Sequence, residues 1–588
     1  MTCAGLASCA NQSIAPNSPA DSKQNAELHE LFKSYSSFEE DQYPRPDHPN
    51  ADKRKGSFGD LSPKSFGKTL EKLKTFQQRL SAISFDSLSE QDKVNYEMFQ
   101  FTLRSEIAAI ENQTYLFPLI GDTGFYFSLL RMGDTADVSS PEKVQFYVEK
   151  LADIERYLGQ WKSNLQLAVE QKRLLPKIVL KDFEKPLLSL MNDSAEKSGF
   201  FKPLTQIEKV LDEGEAEETK KKALAIIKTS VFPAINEFVA YLKQDYLPLA
   251  REGIAIYDME GGKAYYRSQI DYYTTLSLSP DEIHNIGLAE VKRIKAEMDE
   301  VIKASGFKGS FAEFVEFLRT DPQFYAKTPE KLLKQAAFIS KKADGVLPQF
   351  FGRLPRQPYG VEPVPEAIAP RYTTGRYVGA PLDSTRGGTY WVNTYALNKR
   401  PLYVLEALTL HEAVPGHHLQ SALTKELDSL PDFRRNSYLS AYGEGWALYC
   451  EKLGIEAGFY QDAYSQFGRL SYEMWRAIRL VVDTGMHAKG WSRDQAIEFM
   501  ENNTALSKHN VRTEIDRYIA WPGQALSYKL GEIKIVELRK KAEQALGKQF
   551  DIRAFHDEIL SYGPVTLEIL DRLINQWIET QKLDQSMN

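Results

Sequence analysis

Cysteine is scarce in this chain of 588 residues: Cys3, Cys9 and Cys450 are the whole supply. Two of the three fall in the first ten residues, which excludes a disulfide framework and a thiolate metal site in the folded body. Any metal must be held by histidine and carboxylate. Histidine is sparse too, nine in all, and three of the nine (His411, His417, His418) fall within eight residues. No apolar run reaches the length needed to cross a bilayer. Charge of one sign is not in excess either: a formal −7 is small for this length and argues against nucleic acid as a general partner. No heptad seam marks an oligomer interface, so oligomeric state stays open.

What is present is ordinary globular composition, with 42% hydrophobic and 26% charged residues, enough for a large buried core. The first 25 residues stand apart. Leu6-Ala7-Ser8-Cys9 resembles the lipobox of a bacterial lipoprotein signal, and residues 11–25 are polar and rich in Ser, Pro and Asn, as a flexible tether would be. Only five residues precede Leu6, too few for a full signal sequence. The expectation is a candidate lipid anchor at Cys9 and a periplasmic or membrane-anchored bacterial protein, with the cytoplasm left open. Residues 26–588 read as a single large domain, divided into an N-terminal helical part (26–353) and a catalytic part (354–588).

From about residue 27 to 344 the chain reads as successive amphipathic helices. Segments 65–83, 144–171, 220–245 and 281–304 repeat apolar residues at three- and four-residue spacing. Ser279-Pro280-Asp281-Glu282 and Thr328-Pro329-Glu330 have the form of helix starts, with a capping hydroxyl, proline in the first turn and early acids. Between 354 and 398 the texture changes to Pro, Gly, Tyr and Arg, with one β-like stretch at 388–394 (GTYWVNT). After Pro401 helical character returns, with breaks predicted at 485–490 and 521–523. The fold class expected is mainly α, a large multi-helix body with a small sheet beside one helix of special content.

That helix ends in His411-Glu412-Ala413-Val414-Pro415-Gly416-His417-His418. His-Glu opens the zincin signature His-Glu-x-x-His, in which two histidines one turn apart face one ion and the glutamate acts as general base. Here the fourth position after His411 is Pro415, and the simple motif fails. Proline has no N–H for the carbonyl of His411, and its ring clashes there. Gly416 offers backbone freedom for a bulged turn that brings His417 round to the ion. The competing ligand is His418, which on an ideal helix returns to nearly the same face about 10 Å further along. Downstream, Glu444 and Glu451 stand seven apart, so both can lie on one helix face.

Residues 411–420 (HEAVPGHHLQ), 444–451 (EGWALYCE), 483–490 (DTGMHAKG) and 523–531 (GQALSYKLG) resemble the DUF885 family, which in turn resembles the gluzincin metallopeptidases. The resemblance spans most of the chain and implies a gluzincin-like fold with one Zn2+ per chain. By position it implies His411 and His417 as imidazole ligands, Glu444 as third ligand and Glu412 as general base. His418, Glu451 and Asp483 are then alternative ligands or supports behind the ligands.

Hydrolysis also needs a donor to the developing oxyanion. Tyr528 is the first candidate and His487 the second, with Asp483 and His487 four apart as a candidate carboxylate–imidazole pair. Residues 388–394 are the candidate edge strand for an extended peptide, and Arg371, Arg376 and Arg386 are candidates for a substrate carboxylate. Tyr390 and Asn393 of that strand, and Lys529 beside Tyr528, complete the substrate-binding candidates. The expected function is zinc-dependent hydrolysis of short peptides. Alternatives are a non-catalytic peptide-binding protein with a degenerate zinc site and a metal-dependent amidase on another substrate.

Overall fold

The computed structural model describes residues 19–43, 56–119, 124–191, 194–366, 368–382, 384–435 and 437–587. The candidate anchor Cys9 and most of the tether lie outside these residues. Among the described residues the chain is mainly helical, with one three-stranded sheet.

The predicted helix starts form as expected. α1 (Pro280–Ala304) opens on a complete capping box between Ser279 and Glu282, and buries Ile283, Gly287, Val291, Ile294, Met298 and Ile302 on one face. Thr328 caps α2 (Pro329–Phe350) by accepting from the amide of Lys331. The stretch predicted at 144–171 is two helices, Pro141–Ala152 and Ile154–Glu170, that meet at Asp153. Contrary to the expectation that no run reaches bilayer-spanning length, the helical run Glu213–Leu249 is long and apolar enough, by length and composition alone, to cross a membrane. Its Ile235, Phe238 and Val239 are buried in the core.

The sheet has the order β1-β3-β2, from β1 (Tyr359–Pro363), β2 (Gly375–Val378) and β3 (Gly388–Val392). β1 runs parallel to β3, pairing Tyr359 with Gly388. β2 runs antiparallel, pairing Gly375 with Val392. The strand foreseen from its β-branched and aromatic content is therefore central, with Tyr390 and Val392 fully buried. The edge strand beside the site is β2.

Behind the sheet follow α3 (Leu405–Glu412), α4 (His417–Lys425), α5 (Ser440–Leu453), α6 (Ala463–Ala488) and α7 (Ser527–Leu546). α6 is buried over most of its length and runs through Gly485, so the predicted break begins only at Lys489 and Gly490. The break at 521–523 is present, with Gly523 at φ 83°. The largest apolar core joins Val291, Phe314, Leu332 and Ile339 to Leu408, Trp446, Ile478 and Val482, and so spans both sides of residue 353. A second core lies mainly among the helices between residues 116 and 283 and reaches Leu480 of α6 and Leu530 of α7, and a third packs Leu28, Phe32 and Tyr35 against Phe76 and Phe99.

Candidate metal centre

α3 is an apolar segment, and all but one of its eight residues are buried. It ends at Glu412. The chain leaves helical geometry at Ala413 (φ −93°, ψ −112°), passes a cis Val414–Pro415 bond and re-enters a helix at His417. Gly416 is needed here for room. A Cβ on it would lie 1.9 Å from the carbonyl oxygen of His411. The Pro415 carbonyl, left without a helical partner, accepts from Nε1 of the buried Trp446 at 2.9 Å.

This turn brings His417 to face His411, with ring centroids 4.8 Å apart and planes at 88°. α5 supplies the third group. Its Gly445 lies against Gly531 of α7, where a Cβ would come within 2.5 Å of the Gly531 Cα, so the two helices cross at close range. At that crossing Glu444 Oε2 sits 3.4 Å from Nε2 of His411 and 3.4 Å from Nε2 of His417. Direct N–H···O hydrogen bonds are shorter, about 2.9–3.0 Å. Two ligand atoms on a tetrahedral zinc, each about 2.0–2.2 Å from the ion, stand about 3.3–3.6 Å apart. His411, His417 and Glu444, whose ligand atoms all lie within 4.8 Å of one another, are therefore the groups that could hold a metal ion.

The surrounding groups fix the donors. His411 Nδ1 donates to Glu451 Oε1 at 2.8 Å, which leaves its Nε2 lone pair toward the centre. Burial works to lower the His411 pKa, but Glu444 and Glu451 outweigh it and hold it up to about 9. Burial likewise opposes the Glu444 carboxylate, yet His417 and His411 hold it well below the usual range. Both shifts express one fact, that this spot prefers a positive charge. Tyr438 donates to the other Glu444 oxygen at 2.8 Å. Glu412 lines the same cavity, and its Oε2 accepts from the backbone N–H of Tyr377 in β2 at 2.8 Å.

The cavity measures about 640 Å³ and is lined by His411, Glu412, His417, Glu444, residues 373–377 with β2, and Tyr528. Arg376 and Tyr528 stand in it as the sequence suggested. Other candidates do not. His418 turns to the sheet, with Nδ1 3.1 Å from the Tyr377 hydroxyl and its ring against Tyr359, and burial lowers its pKa to about 4. Asp483 and His487 do not pair: Asp483 accepts from Tyr266 and the Gly523 amide, while His487 Nε2 donates to the Tyr518 carbonyl. Both are buried away from the cavity, so His487 is not placed to donate to an oxyanion there.

Tyr390 is fully buried, with its hydroxyl near Thr409. Asn393 spends its amide on the carbonyls of Ala369, Tyr372 and Thr373 and so holds the loop before β2. Lys529 is buried in an ionic cluster with Glu290, Glu473 and Glu532. Arg386 is exposed and pairs with Glu362. The Arg371 side chain lies outside the description. Sequence reasoning missed Tyr377 and Tyr438, two of thirty tyrosines with no spacing to mark them, and Arg476 and Arg479 of α6, which also line the cavity.

Residues 48–574 match the family model DUF885, described as bacterial protein of unknown function, and the chain belongs to that family. Among solved structures it is similar to a protein of Colwellia psychrerythraea described as a "putative lipoprotein", with 29% identity, a TM-score of 0.86, and coverage of 96% of this chain and 100% of that one. A "putative lipoprotein of unknown function" from Shewanella oneidensis shares the fold at 17% identity and a TM-score of 0.64, over 95% of this chain and 100% of that one. A search of the curated proteins gives no match.

Proposed function

We propose that this protein is a zinc-dependent, gluzincin-like peptidase acting on short peptides. The observation that carries the reading is the convergence of His411, His417 and Glu444 beside Glu412 in one large cavity. A zinc ion held by His411, His417 and Glu444 would supply Lewis acidity toward a water molecule and a peptide carbonyl. Glu412 takes the proton from the water and delivers it to the leaving amine. Its carboxylate is oriented for this by the Tyr377 amide, so β2 serves both the base and the substrate. The edge of β2 not paired with β3 takes an extended peptide as a further strand. Tyr528 is the candidate donor to the charge that develops on the carbonyl oxygen. The lipobox-like Cys9 and the lipoprotein descriptions of the two similar structures support a membrane-anchored or periplasmic location.

The test is a metal analysis and a mixed short-peptide digest of the wild type and Glu412→Gln. The expected result is zinc in both proteins, with cleavage lost by about a thousandfold or more in the variant. Zinc in both with no cleavage of any peptide by the wild type would instead favour a binding protein or an amidase of another substrate.

A further inference from the structure

The charge of the cavity is unbalanced on the side away from the candidate metal ligands. Among the described residues, Arg376, Lys425, Arg435, Arg476, Arg479 and Arg517 line it, against the carboxylates Glu412, Glu444 and Glu514. Two of those carboxylates sit at the metal position, where an ion of charge +2 would offset them. Lys425 donates to the Ala380 carbonyl and Arg435 to the carbonyls of Asp428 and Leu430, none of which cancels their charge. Glu514 is shared between Arg479 and Arg517. A net positive wall faces the cavity.

Two arginines of that wall carry unspent donors. Arg479 is 3% exposed; its Nε donates to the Tyr518 hydroxyl and its Nη2 to Glu514, while Nη1 is buried with no partner. Its guanidinium lies over the rings of Trp475 and Tyr528, at 4.5 and 4.4 Å from their centroids, and both rings line the cavity. Arg476, one turn earlier on α6, is 5% exposed; Nη1 donates to the Tyr472 carbonyl and Nη2 lies 3.5 Å from Glu451, while Nε has no partner. A buried charged donor without an acceptor is costly, and a planar guanidinium held by stacking is the group best suited to a carboxylate.

We propose that the Arg476–Arg479 wall is a carboxylate subsite, and that the substrate is a short peptide bound through an anionic carboxylate, in the first instance its free C-terminus. This rests on the peptidase reading for its location, and adds to it the part of the substrate that is recognised. Tyr528 then has two neighbours, the reacting carbonyl and the guanidinium beneath its ring. The edge of β2 would carry the peptide between the metal position and the wall.

The test uses the zinc-loaded wild type with three probes: N-acetyl-tetra-alanine as the free acid, the same peptide as its C-terminal amide, and N-acetyl-Ala-Ala-Ala-Glu amide. Binding is read by calorimetry and cleavage by mass spectrometry. The expected result is that the free acid binds, and is cleaved, roughly ten- to hundredfold better than the plain amide. Equal preference for the glutamyl amide would support the subsite with a side-chain carboxylate as its source. Equal behaviour of all three probes, or binding of none, would overturn it. Absence of cleavage counts against the peptidase reading, whereas the calorimetric ratio still decides the subsite. In Arg479→Gln the acid-to-amide ratio should fall toward one; a purely structural defect would weaken both probes alike. If that variant does not fold, the wild-type ratio remains the deciding measurement.

Discussion

His411 is gripped at both ring nitrogens, by Glu451 at Nδ1 and toward Glu444 at Nε2, and this fixes which tautomer can face an ion. Its neighbour in function, His417, differs from His418 by one position, yet their rings point to opposite sides of the turn. His487 shows the other fate of a buried histidine. Burial holds it near pKa 4, against about 6.5 in an unfolded chain. Below about pH 6.5 the unfolded chain takes up a proton that the native protein refuses until about pH 4, so this group costs stability progressively as pH falls through that window. Between about pH 7.5 and pH 5 the loss is about 2 kcal/mol. His487→Gln removes the titrating group, so the stability gap between wild type and variant, read by urea unfolding of the metal-free proteins, should narrow by about that amount at the lower pH. A gap independent of pH would contradict neutral burial. The spacing of Asp483 and His487 suggested a pair on one helix face, but tertiary partners on either side, Tyr266 and Tyr518, took each of them instead.

At the scale of elements, the site depends on a helix end that is broken and then resumed. Pro415 could be read as the cause of the break, but the direction of the chain afterwards comes from contacts remote in sequence, such as Trp446 holding the Pro415 carbonyl. Gly416 packs directly on the His411 carbonyl in the last turn of α3. Gly416→Ala should therefore destabilise the fold by about 1–3 kcal/mol or more and lower zinc content with it, as measured by thermal unfolding and metal analysis. Gly159→Ala, on a helix with open space around the added methyl, is the control and should be neutral or slightly stabilising. Wild-type stability and zinc content in Gly416→Ala would remove the close contact from the account. The sheet was legible only in part. β3 announced itself by Thr-Tyr-Trp-Val, but β1 and β2 are four or five residues long and carry Gly and Pro. Which strand becomes the edge is decided by long-range pairing, which no local pattern records.

The whole molecule assembles its site from four stretches far apart in the chain: β2, the turn between α3 and α4, α5, and the start of α7. Helical periodicity and capping residues made the mainly helical architecture readable, and the segments 411–418 and 444–451 pointed to the four groups that converge, His411, Glu412, His417 and Glu444. What periodicity could not reveal was the cavity itself, because Arg476 and Arg479 lie on α6 among charged residues whose helical spacing reads as a solvated face, whereas the fold buries them. The proposed function requires that His411, His417 and Glu444 hold one zinc ion beside Glu412. The most direct measurement is the metal content of the purified wild type, His417→Ala and His418→Ala by mass spectrometry of the elements. The account predicts about one zinc per chain in the wild type and in His418→Ala, and almost none in His417→Ala. Zinc retained in His417→Ala but lost from His418→Ala, or no zinc in the wild type even after incubation with the metal, would contradict it.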